Sequence, residues 1–290
     1  MSIQFEKYQG AGNDFVILEK SEVERSVSAI FPLAELVRSI CKPHYGVSAD
    51  GLFVIWGQEN DAWRISFYNC DGGQATMCGN GARCVSAYLF SRMPCLTELT
   101  LAIGELRIPS RLLPDGRISL QMPVDETFEW LPAQGGYLIN TGVPHLVLQC
   151  QTLQELHDLD LIAVARPLRY EVCGTFGGVN VDFYCLHEGQ ISMRTYERGV
   201  EGETRACGTG AVAVALVAAA VHDLHSPQTV NVLGGTLSVA YQMTHSEENG
   251  EFLFHEVRLT GDAILVARGE YFHSTGERLS APHQPTDWRG

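Results

Sequence analysis

Lysine occurs only at Lys7, Lys20 and Lys42 among 290 residues, and arginine supplies the other 17 basic side chains. A pyridoxal phosphate enzyme holds its cofactor on a lysine, and none of the three stands near the two glycine-rich helix starts described below. Basic residues as a class are outnumbered 20 to 34 by acidic ones, a net charge of -14 that disfavours nucleic acid and anionic membrane as partners. The nine cysteines, Cys41, Cys70, Cys78, Cys84, Cys95, Cys150, Cys173, Cys185 and Cys207, contain no CxxC pair. The spacing of Cys70, Cys78 and Cys84 does not match a zinc knuckle, so no metal is expected. An odd number of cysteines argues against a disulfide framework. Long apolar runs are also missing: the longest, at 211–221, is short and alanine-rich. The opening MSIQFEKYQGAGNDF alternates like a strand and lacks the apolar core of a secretory leader, so a soluble cytoplasmic protein is expected.

What is present is enough apolar sequence, 45%, for a full-sized core in one large or two ordinary domains. Strand-like alternation dominates, at 52–56, 63–68, 99–108, 117–122, 137–140, 180–186, 229–232 and 256–259. Helices are few: 33–41, one after Cys78, one after Cys207 and a weak one at 153–159. Two of these helix starts are alike, MCGNGARCVSAYLF from Met77 and ACGTGAVAVALVAA from Ala206, with cysteines 129 residues apart. A spacing near half the chain reads as a duplicated α+β architecture of two pseudo-symmetric domains, each with strands wrapped around a central helix. The second helix is apolar on every face, as a helix enclosed by its own domain must be. The expected division is 1–125 carrying Cys78 and 126–262 carrying Cys207. A C-terminal strand near 263–275 is expected to pack back onto the first half, followed by an irregular tail at 276–290.

A cysteine just before a glycine-rich helix start sits beside unpaired N–H groups and the positive end of the helix dipole, which favour the thiolate. The same N–H groups, from Gly79, Asn80, Gly208 and Thr209, make a cradle for a carboxylate. One such motif is weak evidence, since a Cys-Gly pair before a helix is more often a turn with a buried thiol. Two copies related by a pseudo-twofold axis put two thiols on opposite faces of one carbon acid. One removes the α-proton while the other delivers a proton to the far face, and the stereocentre inverts.

The ordered motifs QGAGNDF at Gln9, HYGVSADG at His44, YNCDGGQATMCGNGARC at Tyr68, TGVPH at Thr141, GGVNVDF at Gly177 and ERGVEGETRACGTGA at Glu197 resemble those of the diaminopimelate epimerase family over nearly the whole chain. The resemblance implies two similar mixed domains with the active site in the cleft between them. It implies interconversion of LL- and meso-diaminopimelate, in lysine and peptidoglycan precursor synthesis, with no cofactor and no metal. Cys78 and Cys207 are then the acid/base pair, with Asn13, Asn69, Asn180, Glu197 and Arg198 as substrate contacts. His145 corresponds to the family histidine near one catalytic thiol, as a proton relay or as an orienting side chain. Physically, Arg198 suits a distal carboxylate, while Asn side chains and Glu197 can accept from ammonium groups. Outside its motif the Glu197-Arg198 pair reads as a surface ion pair.

Three features depart from the family pattern. Val143 stands where an Asn is usual, which removes a polar contact to the distal end and points to relaxed selectivity. The loop from Glu197 to Cys207 is one residue longer than ERGxGETxAC, with Glu201 or a neighbour as the extra residue. YEVCGTF, before Gly177, lacks the usual His and Pro. The nearest rival reading is a two-thiol proline racemase or hydroxyproline epimerase, which carries His where this chain has Asn80. A thiol redox or amino-acid-binding protein is the rival from another class. A homodimer is compatible with the resemblance.

Overall fold

The computed structural model describes residues 2–27, 32–75, 77–125, 128–172, 177–245 and 252–272. Cys173 and the stretch at 276–290 lie outside them. The chain opens with an antiparallel hairpin of β1 (Ser2–Gly10) and β2 (Asn13–Glu19). Helices α1 (Lys20–Ser26) and α2 (Leu33–Cys41) cross to β3 (Gly51–Glu59), which lies parallel to β2. Strand β4 (Ala62–Asn69) returns antiparallel and a two-residue β5 (Gln74–Ala75) pairs with its end. Helix α3 (Gly79–Arg92) then leads to β6 (Glu98–Ile103), parallel to β4, and to the antiparallel β7 (Leu106–Leu112) and β8 (Ile118–Gln121).

After a short β9 (Glu129–Leu131) the same order recurs. A hairpin of β10 (Gly136–Asn140) and β11 (Pro144–Gln149) is followed by α4 (Leu153–Asp158) and α5 (Leu161–Glu171). Next come β12 (Asn180–His187), parallel to β11, the antiparallel β13 (Gln190–Glu197) and a two-residue β14 (Gly202–Glu203). Helix α6 (Gly208–His222) leads to β15 (Gln228–Val232), parallel to β13, then to β16 (Gly235–His245) and β17 (Phe252–Gly261). Strand for strand, this is the first half repeated. The halves are joined where β8 pairs with β17, and β18 (Ile264–Phe272) runs back to pair with β1. The architecture is the two-part α+β fold expected from the repeated motif.

Each half buries its parallel pair on both faces, so β3 and β12, expected from the sequence to alternate, are buried without a break over 51–55 and 180–185 instead. In β12, Val181, Phe183 and Cys185 pack with Leu156, Leu161 and Ala165 of α4 and α5. The alternate residues Asn180, Asp182 and Tyr184 turn the other way, and Tyr184 packs in the core that holds α6. In β3, Leu52 and Val54 meet Leu36, Val37 and Ile40 of α2, while Phe53 and Ile55 join the core around α3. Helix α6 is buried at every position from Gly208 to Ala219. Its Ala and Val side chains let strands approach on all sides, and Asp223 in the left-handed region (φ 52°) ends it. Among the described residues no helix is long and apolar enough to cross a membrane.

The structure corrects the sequence reading in three places. Helix α1 is short and polar, with one buried residue, Val23, so it carries no periodic apolar signal. Helix α5 contains Pro167, which reads as a breaker, yet the helix runs through it. The segment 99–108 is two strands, because the chain turns at Gly104 (φ 59°) and Glu105 between β6 and β7.

The start of α3 leaves no room beside Phe53 of β3: a Cβ at Gly81 would fall within the Phe53 ring. Gly81→Ala is therefore expected to cost about 1–3 kcal/mol as an overpacked core site, against the gain in helix propensity that alanine usually brings. Denaturant unfolding of the purified variant reads this directly, and unchanged stability would mean that the helix start can shift away from β3.

Candidate active site

Cys78 and Cys207 occupy the same place in the two halves, each as the N-cap of its central helix in extended backbone conformation (φ -149° and -110°). Each sulfur accepts a backbone N–H three residues on, Cys78 Sγ from Gly81 and Cys207 Sγ from Gly210, both at 3.4 Å. The two helices meet start to start. A Cβ on Gly208 would stand 3.3 Å from the Cα of Gly79, and one on Gly79 would stand 3.5 Å from the Cα of Gly208. Leu259 of β17 lies against both glycines, and Asn80 Nδ2 donates to the Ala206 carbonyl across the junction at 2.8 Å. Glycine at both positions lets the helix ends come this close, and a Cβ at Gly208 would press on Leu259 at 3.0 Å.

Around this junction the two thiols have different neighbours. On the first side Asn80 Nδ2 also donates to Asn13 Oδ1 (3.0 Å), and Asn13 Nδ2 donates to Asp50 Oδ2 (2.9 Å). Arg83, one turn into α3 and fully buried, donates to Asn80 Oδ1 (2.9 Å), the Gly79 carbonyl (3.4 Å) and the Asp262 carbonyl (3.4 Å). It has no carboxylate partner among these contacts. On the second side His145 of β11 is fully buried, with Nδ1 2.6 Å from Asp182 Oδ2 and Nε2 2.9 Å from Thr209 Oγ1. Thr209 Oγ1 lies 3.3 Å from Cys207 Sγ, and Thr195 donates to Asp182 Oδ1 at 2.7 Å. Asn180 accepts the Arg198 N–H (2.8 Å) and its Nδ2 faces His145 Nε2 (3.4 Å). Glu197 accepts from Thr204 Oγ1 at 2.5 Å, and its charge acts on Cys207.

Burial sets the protonation of this cluster. The Cys78 thiol is pushed up to about 12 by burial, with Glu197 adding to the rise and the Gly81 N–H and the Arg83 cation opposing it. Cys207 is raised well above the usual thiol range, first by burial and then by the negative charges of Glu197 and Asp182, against the bonds from Thr209 and Gly210. Burial likewise raises Glu197. The sequence reading weighed only the helix terms and expected a thiolate. With Cys207 buried and Cys78 partly so, desolvation opposes the dipoles and favours the protonated thiols.

Most residues anticipated from the sequence converge here: Cys78, Cys207, Gly79, Asn80, Gly208, Thr209, Asn13, His145, Asn180, Glu197 and Arg198. Asn69 is exposed at the end of β4 and none of the described side-chain bonds joins it to this cluster. The turn carrying Val143 is fastened to the site, since Thr141 Oγ1 donates to the Thr209 carbonyl at 2.9 Å and Gly142 packs near Thr209. The lengthened loop is pinned by Glu201, which takes a positive φ of 56° and accepts from Arg169 Nε (2.7 Å), Tyr196 (3.1 Å), Tyr170 (3.3 Å) and the Gly199 N–H (3.1 Å). A separate groove of about 450 Å³, with Trp56, Trp63, Tyr88 and Arg92 in its wall, contains neither thiol. Sequence reasoning missed Asp182, Thr195 and Arg83. The signal for Asp182 was available, because it lies two residues after Asn180 in a strand and must share its face.

The diaminopimelate epimerase family profile matches residues 5–103 and 137–261. The chain belongs to the diaminopimelate epimerase family. It is 34% identical over 268 residues to the diaminopimelate epimerase of Flavobacterium psychrophilum, covering 90% of this chain and 96% of that one. It is 35% identical over 287 residues to that of Aquifex aeolicus, covering 92% and 97%. Among solved structures, a hydroxyproline epimerase from Agrobacterium vitis shares the fold with a TM-score of 0.63 at 14% identity, covering 93% of this chain and 92% of that one. A phenazine biosynthesis PhzC/PhzF protein from Clostridium difficile does so at 0.66 and 9% identity, covering 92% and 98%. The chain is thus an isomerase-family protein on a scaffold that several epimerases share.

The balance of burial against helix dipoles has a direct readout. Alkylation of Cys78 by iodoacetamide in the free protein is expected to be slow at pH 7 and to rise about tenfold per pH unit into the alkaline range, because only the thiolate reacts. A rate that levels off near neutrality would show that the helix terms win.

Proposed function

We propose that this chain interconverts LL- and meso-diaminopimelate by proton transfer between Cys78 and Cys207 at one α-carbon. The observation that carries this reading is the meeting of two cysteine-capped helices, N-terminus to N-terminus, at Gly79 and Gly208. A carboxylate bound at that junction receives N–H groups and positive dipole ends from both halves. One sulfur, as thiolate, takes the α-proton; the C–H electron pair moves into the carboxylate, where those N–H groups stabilise it. The other sulfur, as thiol, gives its proton to the opposite face. The next turnover in the same direction requires proton exchange between the sulfurs and solvent, and the reverse reaction exchanges their roles.

The substrate's own α-ammonium adds positive charge beside thiols that desolvation keeps protonated, so the thiolate forms as the substrate arrives. Cys78 is the sulfur that more readily carries the charge, since Glu197 opposes ionisation of both sulfurs, but Arg83 offsets it at Cys78 and Asp182 adds to it at Cys207. We assign Arg198 to the distal carboxylate and Glu197 to the reacting end, where its charge acts on Cys207. Asn13 and Asn180 complete the substrate contacts. The reaction is expected in the cytoplasm, a compartment in keeping with the eight described cysteines, all of them free thiols.

Cys78→Ala and Cys207→Ala should each abolish inversion, while each retains exchange of the α-proton with deuterated solvent from the surviving face. Chiral analysis of product together with mass measurement of deuterium separates the two. Near-normal inversion by either variant would exclude the two-thiol reaction.

Val143→Asn tests selectivity. A polar contact to a charged group contributes about 1.5–3 kcal/mol, roughly ten- to a hundredfold in kcat/KM. The substitution is expected to raise kcat/KM for diaminopimelate relative to glutamate, which has no distal ammonium to hold. An unchanged ratio would assign Val143 to packing and leave selectivity with the loop that Glu201 pins.

A further inference from the structure

The hydrogen bonds leading away from Cys207 have a fixed direction. Asn180 Oδ1 accepts the backbone N–H of Arg198 at 2.8 Å, so the amide presents Nδ2, a donor only, to His145 Nε2 at 3.4 Å. Nε2 is then an acceptor, and the ring proton sits on Nδ1, where Asp182 Oδ2 takes it at 2.6 Å. Asp182 is held in turn by the Thr195 hydroxyl on its other oxygen, at 2.7 Å. Gly210 permits this, because a Cβ there would stand 2.6 Å from Asp182 Oδ1. With Nε2 accepting, the Thr209 hydroxyl donates to it at 2.9 Å and turns a lone pair toward Cys207 Sγ at 3.3 Å. The S–H of Cys207 donates to that lone pair, so this arrangement holds Cys207 as a thiol ready to act as an acid. Once Cys207 has given its proton away, the Thr209 hydroxyl can rotate and donate to the sulfur instead, leaving Nε2 with Asn180. No proton enters or leaves the chain of bonds in this exchange.

We propose that Asp182 is a positioning residue for the acid form of Cys207, acting through His145 and the Thr209 hydroxyl, and that Cys78 has no such counterpart among the described residues. In the first half Asn80 occupies the place of Thr209, and its amide is taken up by Asn13, the Ala206 carbonyl and Arg83. None of these bonds leads to the Cys78 sulfur. Without the Asp182 acceptor, the proton of His145 is free to move to Nε2, and the Thr209 hydroxyl then donates to Cys207 permanently and opposes its protonation. The inference rests on the two-thiol reading above for its kinetic consequence, but its chemical consequence for the Cys207 sulfur does not need a substrate.

The test therefore has two arms. In the first, kcat and KM for diaminopimelate are measured for Asp182→Asn, Thr209→Val, Thr209→Ser and the double variant Asp182→Asn with Thr209→Val. Asp182→Asn and Thr209→Val are each expected to lower kcat about tenfold or more with little change in KM. Thr209→Ser, which keeps the hydroxyl, should recover most of what Thr209→Val loses. The double variant should be no worse than the poorer single one, since both break one chain of bonds. Losses that multiply, or no recovery by serine, would overturn the proposal. In the second arm the Cys207 sulfur is modified with methyl methanethiosulfonate in a Cys78→Ala background, with Glu197, the other charge facing Cys207, left in place. Asp182→Asn should speed the modification, because an opposing charge is lost and Thr209 becomes a donor to the thiolate. Thr209→Val should slow it, because that donor is gone. Equal or same-sign changes would overturn the wiring even in a protein that epimerises nothing, whereas absence of diaminopimelate turnover by the unmodified chain would count against the two-thiol reading alone.

Discussion

Two helix N-termini repel. Each carries roughly half a positive charge, and here they are pressed together with only Gly79 and Gly208 between them. The rest of the fold makes this contact possible: duplicated strand order encloses each helix, the β8–β17 pairing joins the halves, and Leu259 of β17 packs on both glycines. The two helix ends together bring about one unit of positive charge to the junction. It is relieved by an anion, and most of all by one whose negative charge grows during a reaction. A carboxylate that becomes the sink for a carbanion's electrons has that property, so the interaction that strains the free protein is strongest in the transition state.

The same closeness that builds the junction removes water from the sulfurs. Helix dipoles favour a thiolate by an amount that fades within a turn, whereas desolvation acts on the whole charge of a buried sulfur. The outcome is a pair of protonated thiols, Cys78 pushed up to about 12. A resting thiolate would be open to oxidants and to any passing electrophile. A site that ionises when an ammonium group arrives restricts the charged sulfur to the time when a substrate is bound.

The backbone part of this arrangement was legible in the sequence. The two Cys-Gly-x-Gly-Ala stretches 129 residues apart gave the duplication, the enclosed helices and both thiols. Spacing and helix-end chemistry are local, so a chain read in one dimension displays them. The side-chain wiring was not legible in the same way. Asp182 looks like a single polar interruption in the apolar strand NVDFYCLH, and only the parallel register of β12 against β11 sets Asn180 opposite His145 and Asp182 opposite Val147. Arg83 gave no sign of burial, because arginine one turn into a helix is ordinarily a surface residue. Desolvation escaped for a related reason: no local pattern states how tightly two distant segments will close on each other. Helix α5 was missed because Pro167 signals a break more strongly than its short amphipathic face signals a helix.

Pseudo-symmetry of the backbone and asymmetry of the side chains answer different demands. Inversion asks for a donor and an acceptor on opposite faces of one carbon, which two copies of the same helix cap provide. In the proposed reaction it does not ask that the two sulfurs be equivalent, because with substrate bound one acts as a thiol and the other as a thiolate. Near Cys78 stands a buried cation, Arg83; near Cys207 stand Asp182 and Glu197, with His145 and Thr209 between Asp182 and the sulfur. Once one sulfur is deprotonated, these fields favour the charge on Cys78 and the proton on Cys207. Since the substrate's distal end extends to only one side of the axis, the two directions of reaction already differ in how the α-carbon sits between the sulfurs. A protein built to be symmetric in its side chains would meet that unsymmetrical ligand with equal fields and hold the proton on neither sulfur in particular. An unequal pair takes up one defined arrangement when an arriving substrate ionises it, and the backbone symmetry then leaves the opposite arrangement within reach.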